Sequence, residues 1–380
     1  MAGTAVGMSM GIEGAMGGGT RKSVCDMQLS IIPHASKKIT RLVETLFAIE
    51  EVAEAPVGVH PITRLEGGII GSAVNLSNLR GITLHSTFPA SGLPSMLFVC
   101  DCVKNQVQVF DANSGTFIRS IGVMGAGVGQ LYYPSDAVLR TLSYGASLLY
   151  VSDQGNKRVQ VFDAESGAHV RMLGVGEVGH PEGLALHVPP SSQFPTLLFI
   201  ACFDKNIVKV VNADTGSLVR TIGPTAASGA RSSLREPLRL AVRRAAKGSG
   251  SQTLLYVTEY GKHHVKVFDA DTGALVRTIG TGLKGAGPGQ LDSPWGLALQ
   301  ESAPGSGAPC LLYVADNCNH RIQVFDADTG AHVHMIGAGT GSAVGQLNCP
   351  IDLCLHPGPD GSTLLFVSES GNKRVQVFVV

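Results

Sequence analysis

Six stretches of the chain share one pattern of apolar and polar positions. A run of the type L-[YF]-V ends near an acidic residue, a short polar loop follows, and a second run such as RVQVF alternates apolar and polar residues. Alternation with period two is typical of a strand that buries one face. The residues that mark the end of the second run are Phe110, Phe162, Val211, Phe268, Phe325 and Phe378. They stand 52, 49, 57, 57 and 53 residues apart, so one unit recurs with insertions of variable length.

Each unit predicts four short strands, called a to d in chain order. The d strand ends in Ile-Gly in most copies, and the c-to-d connection D-A-x-[ST]-G places glycine at the left-handed position of a hairpin turn. The a strand opens at a proline, which Leu79 replaces in the first copy: Pro134, Pro181, Pro237, Pro294 and Pro350. A four-stranded sheet in such a series buries its faces against its neighbours. The pattern therefore predicts an all-β, six-bladed β-propeller.

The ends of the repeat array predict how the ring closes. The last copy stops after its c strand at Val380, whereas the segment RLEGGIIG at 64–71 ends as the d strands do. We therefore expect residues 63–71 to supply the missing strand of the last blade. The propeller then occupies 60–380, and residues 1–59 form a leader.

The leader contains one segment with helical spacing. Apolar residues at Ile39, Leu42, Val43, Leu46 and Ile49 predict an amphipathic helix over about 36–55, with flexible chain before it. Residues 1–24 lack a basic region ahead of a long apolar stretch, which argues against a secretory signal. The chain is therefore expected to be cytoplasmic. The same acid-poor segment leaves an organelle transit peptide open as the alternative.

Composition narrows the class of protein. The 48 glycines among 380 residues agree with many tight turns, and a formal net charge of zero argues against a general polyanion binder. No apolar run reaches the roughly 18 residues of a membrane-spanning helix, so no membrane partner is expected. The eight cysteines lack C-x-x-C spacing, which argues against a zinc module and for reduced thiols.

The repeat resembles the NHL repeat. The resemblance rests on P-x-[GD] at the start of the a strand, [LF]-[YF]-V-x-[DE] and N-x-R-[IV]-Q-V-F-D, and it is clearest in LYVSDQGNKRVQVFD and LYVADNCNHRIQVFD. It implies a six-bladed propeller that binds protein or RNA, often within tripartite-motif ubiquitin ligases. The chain shows no zinc-binding pattern, so ligase activity is not expected. The third copy departs from the motif, with Cys202 in place of the acid and Ile207 in place of the arginine.

One enzyme with a related scaffold, the peptidyl-hydroxyglycine amidating lyase, gives a test of catalysis. In that family three histidines after the strand-opening proline hold zinc. The corresponding residues here are Arg80, Ser135, Glu182, Leu238, Trp295 and Ile351, and none is histidine. We therefore expect no catalytic residue, no metal and no cofactor. His85, His187 and His356 recur at the far end of the a strands and are expected to be exposed in loops.

The strand directions predict which loops form the ligand-binding face. The b-to-c loops, the d-to-a loops and the starts of the a strands share one end of the ring, called the loop face, and the D-A-x-[ST]-G turns lie at the other end, called the turn face. The candidate ligand-binding residues of the loop face are Arg80, Lys104, Lys157, Arg158, Glu182, Lys205, Arg239, Lys262, His263, His264, Trp295, Arg321, Lys373 and Arg374. Five acids end the b strands beside these bases: Asp101, Asp153, Glu259, Asp316 and Glu369. With these acids, the b-to-c loops, the d-to-a loops and the starts of the a strands together hold 13 basic and 12 acidic groups. Whether the basic groups are free to bind a ligand therefore depends on local pairing with the acids.

Three functions fit the sequence. The leading interpretation is a non-enzymatic interaction platform that binds a protein or peptide through the loop face. The alternative is binding of single-stranded RNA by the basic b-to-c loops, which requires unpaired bases. The second alternative is a hydrolase or lyase centred on the channel, suggested only by the shared scaffold.

Overall fold

The computed structural model of the chain describes residues 60–61, 68–71, 76–85, 95–143, 145–189, 193–223, 233–244, 252–302, 307–358 and 361–380. The predicted helix over 36–55 lies outside the described residues, as do residues 63–67 of the predicted closing segment.

The described chain forms six antiparallel sheets that follow the predicted repeats. Two short strands come first, β1 (His60–Pro61) and β2 (Ile69–Ile70). Blade 1 contains β3 (Leu79–His85), β4 (Met96–Asp101), β5 (Gln106–Asp111) and β6 (Phe117–Ile121). Blade 2 contains β7 (Pro134–Thr141), β8 (Ser147–Asp153), β9 (Arg158–Asp163) and β10 (His169–Leu173). Blade 3 contains β11 (Pro181–His187), β12 (Leu197–Cys202), β13 (Ile207–Asn212) and β14 (Leu218–Ile222).

The second half of the ring repeats this order. Blade 4 contains β15 (Pro237–Arg243), β16 (Leu254–Glu259), β17 (His264–Asp269) and β18 (Leu275–Ile279). Blade 5 contains β19 (Pro294–Gln300), β20 (Leu311–Asp316), β21 (Arg321–Asp326) and β22 (His332–Ile336). Blade 6 contains β23 (Pro350–Pro357), β24 (Thr363–Glu369) and β25 (Arg374–Val379). Short 3-10 turns occupy four b-to-c loops, at Gln154–Asn156, Phe203–Lys205, Tyr260–Lys262 and Asn317–Asn319.

The a strands line the centre of the ring. Each contacts the a strand of the next blade, and β23 of blade 6 contacts β3 of blade 1, which closes the circle. The described residues therefore form a six-bladed β-propeller, and the predicted fold class is confirmed.

Apolar packing between blades explains why the repeated pattern folds this way. Each buried apolar cluster of the described chain joins residues of two neighbouring blades. The aromatic position of the L-[YF]-V run lies at these contacts and is fully buried, as at Phe98, Tyr150 and Phe366. Alternation along the b and c strands thus supplies apolar side chains to both faces of every blade.

Two pieces of the N-terminal chain complete blade 6. In β1, His60 and Pro61 pair with Val379 and Phe378 of β25. In β2, Ile69 and Ile70 pair with Gln376 and Val375 of the same strand. The predicted N-terminal closure is confirmed, but the outer strand is divided and begins at His60, earlier than the predicted residue 63. Among the described residues no helix is long and apolar enough to cross a membrane.

Candidate ligand-binding face

Three arginines of the loop face are held within the fold. Arg158 Nε lies 2.7 Å from Asp153 Oδ2, and the guanidinium donates to the carbonyl oxygens of Ala126, Gly127 and Gln130. Arg321 and Arg374 make the same set of contacts in blades 5 and 6, at 2.8 Å from Asp316 and 2.6 Å from Glu369. All three carboxylates are 0% exposed. These arginines join each b–c hairpin to the preceding d-to-a loop, so their donors are already used.

Blades 3 and 4 replace this arginine differently. In blade 4, His264 Nε2 lies 2.5 Å from Glu259 Oε2, and Lys266 Nζ lies 3.3 Å from the same oxygen. In blade 3, Ile207 replaces the base and Cys202 replaces the acid, so both charges are lost together. Burial raises the pKa of Cys202 to about 11. His264 therefore belongs with the internally paired residues.

A second repeated contact links the b-to-c loop of one blade to the next blade. The residue that ends the loop has a left-handed conformation, with φ between 54° and 57°, in every blade: Asn105, Lys157, Asn206, His263, His320 and Lys373. Asn105 Oδ1 and Asn206 Oδ1 accept from the N–H of Tyr133 and Glu236 at 2.9 and 2.8 Å. His263 Nδ1 and His320 Nδ1 accept from the N–H of Ser293 and Cys349 at 3.1 and 3.0 Å.

We call this hydrogen bond between blades the latch. In each case its donor is the backbone N–H of the residue just before the proline that opens the next a strand. Lysine cannot accept a hydrogen bond. Lys157 and Lys373 therefore cannot form a latch, and both side chains are exposed. The latch was not predicted, although asparagine and histidine at a left-handed position are its sequence signal.

The lysines of the loop face remain accessible. Lys157, Lys205, Lys262 and Lys373 are exposed and Lys104 is half-buried. Lys205 Nζ donates to the carbonyl oxygen of Glu177 at 2.6 Å. Among the residues predicted for ligand binding, Arg158, Arg321 and Arg374 are thus paired within the fold, whereas Lys157, Lys205, Lys262 and Lys373 are exposed.

Arg239 lies inside the channel, not at an accessible mouth. It is 2% exposed, its Nε lies 3.8 Å from Asp136 Oδ1 and 3.7 Å from Asp352 Oδ2, and its Nη1 lies 3.6 Å from Glu182 Oε2. Nη2 also donates to the carbonyl oxygen of Ser135 at 2.8 Å. We call Asp136, Glu182, Arg239 and Asp352 the channel plug.

The carboxylates of the channel plug also link neighbouring blades. Asp136 Oδ2 accepts from the N–H of Leu184 at 2.8 Å, and Asp352 Oδ2 accepts from the N–H of Ile82 at 2.9 Å. Burial raises the pKa of Asp136 to about 7 and also raises that of Asp352, although Arg239 opposes both shifts. These contacts give the plug a structural role.

Glycine allows the a strands to come close around the plug. A Cβ at Gly183 would lie 2.2 Å from the carbonyl oxygen of Leu238, and one at Gly296 would lie 2.6 Å from that of Ile351. Real Cβ contacts do not reach such distances. The glycines of blades 3 and 5 therefore make room for the neighbouring strands that carry Arg239 and Asp352.

A cavity of about 430 Å³, called the mouth pocket, opens at the loop-face end of the channel. The lining residues come from blades 1, 5 and 6: Ser77, Asn78, Arg80, Trp295, Asn317, Cys349, Ile351, Ser370, Gly371 and Lys373. The Arg80 guanidinium lies 4.9 Å above the centre of the Trp295 ring, and Arg80 Nη1 lies 4.0 Å from Glu182 Oε2. The ring of Tyr260 meets that of Trp295 edge to face at 5.7 Å. Arg80, Trp295 and Lys373 are thus brought together.

The recurring histidines lie elsewhere than expected. His85 is 7% exposed and its Nε2 lies 2.7 Å from Ser147 Oγ, while His187 and His356 are half-buried. Burial lowers the pKa of all three. The expectation that they are exposed in loops is wrong, because the a strands continue through these positions. Within the described residues, no group of three or more His, Cys, Asp or Glu side chains is arranged to hold a metal ion.

Fold and repeat together define a class of protein. The model of the NHL repeat matches residues 311–325, which cover β20 and most of β21. The described chain is thus a six-bladed β-propeller that contains an NHL repeat, which supports its resemblance to the NHL-repeat family.

Among curated relatives, the chain is 24% identical over 214 residues to NHL repeat-containing protein 2 of Gallus gallus, with 46% of this chain and 26% of the relative covered. It is 29% identical over 171 residues to NHL repeat-containing protein 2 of Bos taurus, with 39% and 21% covered. The matched regions thus span about a quarter of the length of these relatives.

Solved structures share the fold at low sequence identity. An auxiliary nutrient binding protein of Bacteroides ovatus superposes with a TM-score of 0.52 and 15% identity, covering 80% of this chain and 69% of the other. The corresponding protein of Bacteroides thetaiotaomicron gives 0.53 and 14%, covering 86% and 77%. Identity at this level shows the fold alone.

Proposed function

We propose that the chain is a non-enzymatic interaction platform that binds a protein or peptide through the loop face of its propeller. The observation that carries this proposal is the mouth pocket, where an arginine, a tryptophan and an exposed lysine from three blades line one cavity. Its volume falls within the roughly 300–1,000 Å³ of small ligand sites. Tryptophan and arginine are also the residues that most often dominate binding energy at protein interfaces.

The pairing of the arginines favours a peptide over RNA. A phosphate footprint needs several free basic groups in one tract. Arg158, Arg321 and Arg374 already donate within the fold, and the remaining lysines are contributed singly by separate blades. In the channel, the plug carboxylates are paired with Arg239, which supports a structural role over hydrolase or lyase chemistry.

The test compares two variants of the full chain with the same change in net charge. One carries Lys157→Gln, Lys262→Gln and Lys373→Gln on the loop face. The other carries Ala168→Glu, Ala274→Glu and Ala331→Glu at exposed positions beside the hairpin turns of the turn face. We expect wild type and the turn-face variant to capture the same protein partners from cell extract, and the loop-face variant to lose them.

Equal capture by both variants, or no captured protein with wild type, would overturn the proposal. Each captured sample is also treated with ribonuclease. Recovery that disappears after this treatment would favour the RNA alternative over a peptide ligand.

A further inference from the structure

The mouth pocket has an excess of positive charge at its surface. Two of its lining residues, Arg80 and Lys373, are basic, and none of its lining residues is acidic. Three acids end the b strands of the blades that line it, but Asp101, Asp316 and Glu369 are all 0% exposed. Each already accepts several hydrogen bonds, as Asp101 does from the N–H groups of Ser77, Asn78 and Lys104. Among the residues that the structure describes, the pocket therefore has no accessible anion of its own.

Arg80 is held in a defined position but is not neutralised at close range. Its guanidinium stacks on Trp295, which leaves the N–H groups at the guanidinium edge. The ion pair with Glu182 is long, at 4.0 Å. Glu182 also accepts from Ser135 and Gln154 and lies 3.6 Å from Arg239, so its charge is shared.

Lys373 supplies the second base from the rim of the pocket. It occupies the latch position of blade 6, where the donor that would meet it, the N–H of Asn78, already hydrogen-bonds Asp101 Oδ1 at 3.2 Å. Among the described residues no carboxylate lies within ion-pair distance of Lys373, and its side chain is exposed. A ligand that approaches the pocket thus meets the exposed ammonium of Lys373 and the guanidinium of Arg80.

We infer that the mouth pocket binds a carboxylate of an acidic peptide, either a glutamate or aspartate side chain or a free C-terminus, between Arg80 and Lys373. The inference rests on the proposed function and specifies its ligand. A guanidinium edge matches a planar carboxylate, and such charge-assisted hydrogen bonds are about twice as strong as neutral ones. One face of Trp295 is covered by Arg80 and an edge meets Tyr260, so the ring offers little surface for a nucleobase to stack.

The experiment measures fluorescence anisotropy of short labelled peptides with the full chain. The probes are a peptide of alternating glutamate and alanine and its glutamine counterpart, each with a free or an amidated C-terminus. We expect the glutamate peptide, or any peptide with a free terminus, to bind about tenfold more tightly than the amidated glutamine peptide. Lys373→Gln should weaken that binding about tenfold. Ala168→Glu, which makes the same change in net charge at an exposed position of the turn face, should change it by less than about twofold.

The arms of the experiment identify the source of the carboxylate. Loss of binding on amidation alone assigns the free C-terminus, and loss on replacement of glutamate assigns the side chain. Equal binding of all peptides, equal effects of Lys373→Gln and Ala168→Glu, absence of binding, or tighter binding of a single-stranded RNA oligonucleotide would each overturn the inference. If no peptide binds but protein capture still depends on the loop-face lysines, the interaction platform stands and only the carboxylate inference falls.

Discussion

Lys157 and Arg158 are adjacent in the chain and carry the same charge, yet Lys157 is exposed whereas Arg158 is 6% exposed. Arg158 is the first residue of β9, and the pleat of the strand directs its side chain towards the buried Asp153. Lys157 is the last residue of the loop before that strand, and its side chain is exposed. A guanidinium also offers five donors in one plane, which suits one carboxylate and three carbonyl groups together.

We expect Arg158→Ala to lower the free energy of unfolding by about 3–5 kcal/mol, because the substitution leaves the Asp153 carboxylate buried without its base. Lys157→Ala should change it by less than about 0.5 kcal/mol, as is usual for an exposed side chain. Urea denaturation of both variants measures the difference. Similar losses in the two variants would contradict the structural role of Arg158.

The channel plug predicts a pH dependence of stability. The pKa of Asp136 is about 7 in the folded chain, against an ordinary value of 3.8. Between these values the folded state binds more protons than the unfolded state, so the free energy of unfolding falls as pH rises. The contribution of Asp136 is therefore complete below about pH 4 and is lost as pH rises through about 7.

Asp136→Asn removes this titrating group. The free energy of unfolding of the variant should therefore fall less steeply than that of wild type between about pH 5 and pH 7. One proton accounts for at most about 1.4 kcal/mol per pH unit, and Asp352, whose pKa burial also raises, retains part of the slope. Urea denaturation at a series of pH values measures both slopes. If the free energy of unfolding falls equally steeply with pH in the variant and in wild type, Asp136 is not the group responsible for the pH dependence.

At the scale of the element, the latch accounts for the identity of the last b-to-c loop residue in blades 1, 3, 4 and 5. Asparagine and histidine place an acceptor at the N–H of the next blade, whereas lysine at the same position leaves the side chain free. The last residue of the b-to-c loop thus either contacts the next blade or carries an exposed positive charge.

His320 allows these two functions to be separated by substitution. We expect His320→Asn to leave stability nearly unchanged, since Asn105 and Asn206 form the same contact. His320→Lys should cost about 1 kcal/mol, the net value of one hydrogen bond, without added backbone strain, because Lys157 and Lys373 adopt this conformation elsewhere. Thermal denaturation compares the two variants, and equal melting temperatures would show that the latch contributes no stability.

Element types were predictable because the period of two along the b and c strands and the D-A-x-[ST]-G turns are local signals. The roles of the loop residues were not predictable from such local signals. Arg158 contacts a loop about thirty residues earlier and Arg239 contacts Ser135 across the channel. Such contacts depend on how blades pack, which the sequence of one blade does not specify. Burial of His85 was missed for the same reason, because Ser147 belongs to the next blade.

The whole molecule depends on the short strands that complete blade 6. Ile70 of β2 is 0% exposed and packs in the cluster between blades 6 and 1, with Phe110 and Val377. The closing segment was predictable from the missing d strand, whereas its division into β1 and β2 depends on pairing with β25.

We expect Ile70→Ala to lower the free energy of unfolding by about 2–5 kcal/mol, because it leaves a cavity where the ring closes. The matched control is Ile118→Ala on β6, an isoleucine that is 38% exposed, and its effect should be below about 0.5 kcal/mol. Denaturation midpoints in urea give the comparison. A small effect of Ile70→Ala would mean that closure adds little to the stability of the ring.

The direction of that closing pair also determines how the ring responds to mechanical force. His60, at the start of β1, pairs with Val379, at the end of β25, so force applied between residue 60 and residue 380 acts on one end of the pair. Antiparallel hydrogen bonds loaded from one end break one after another, not all at once. Force applied in this way would therefore break the hydrogen bonds between β1 and β25 one pair at a time and open blade 6 first, while the other five blades stay intact.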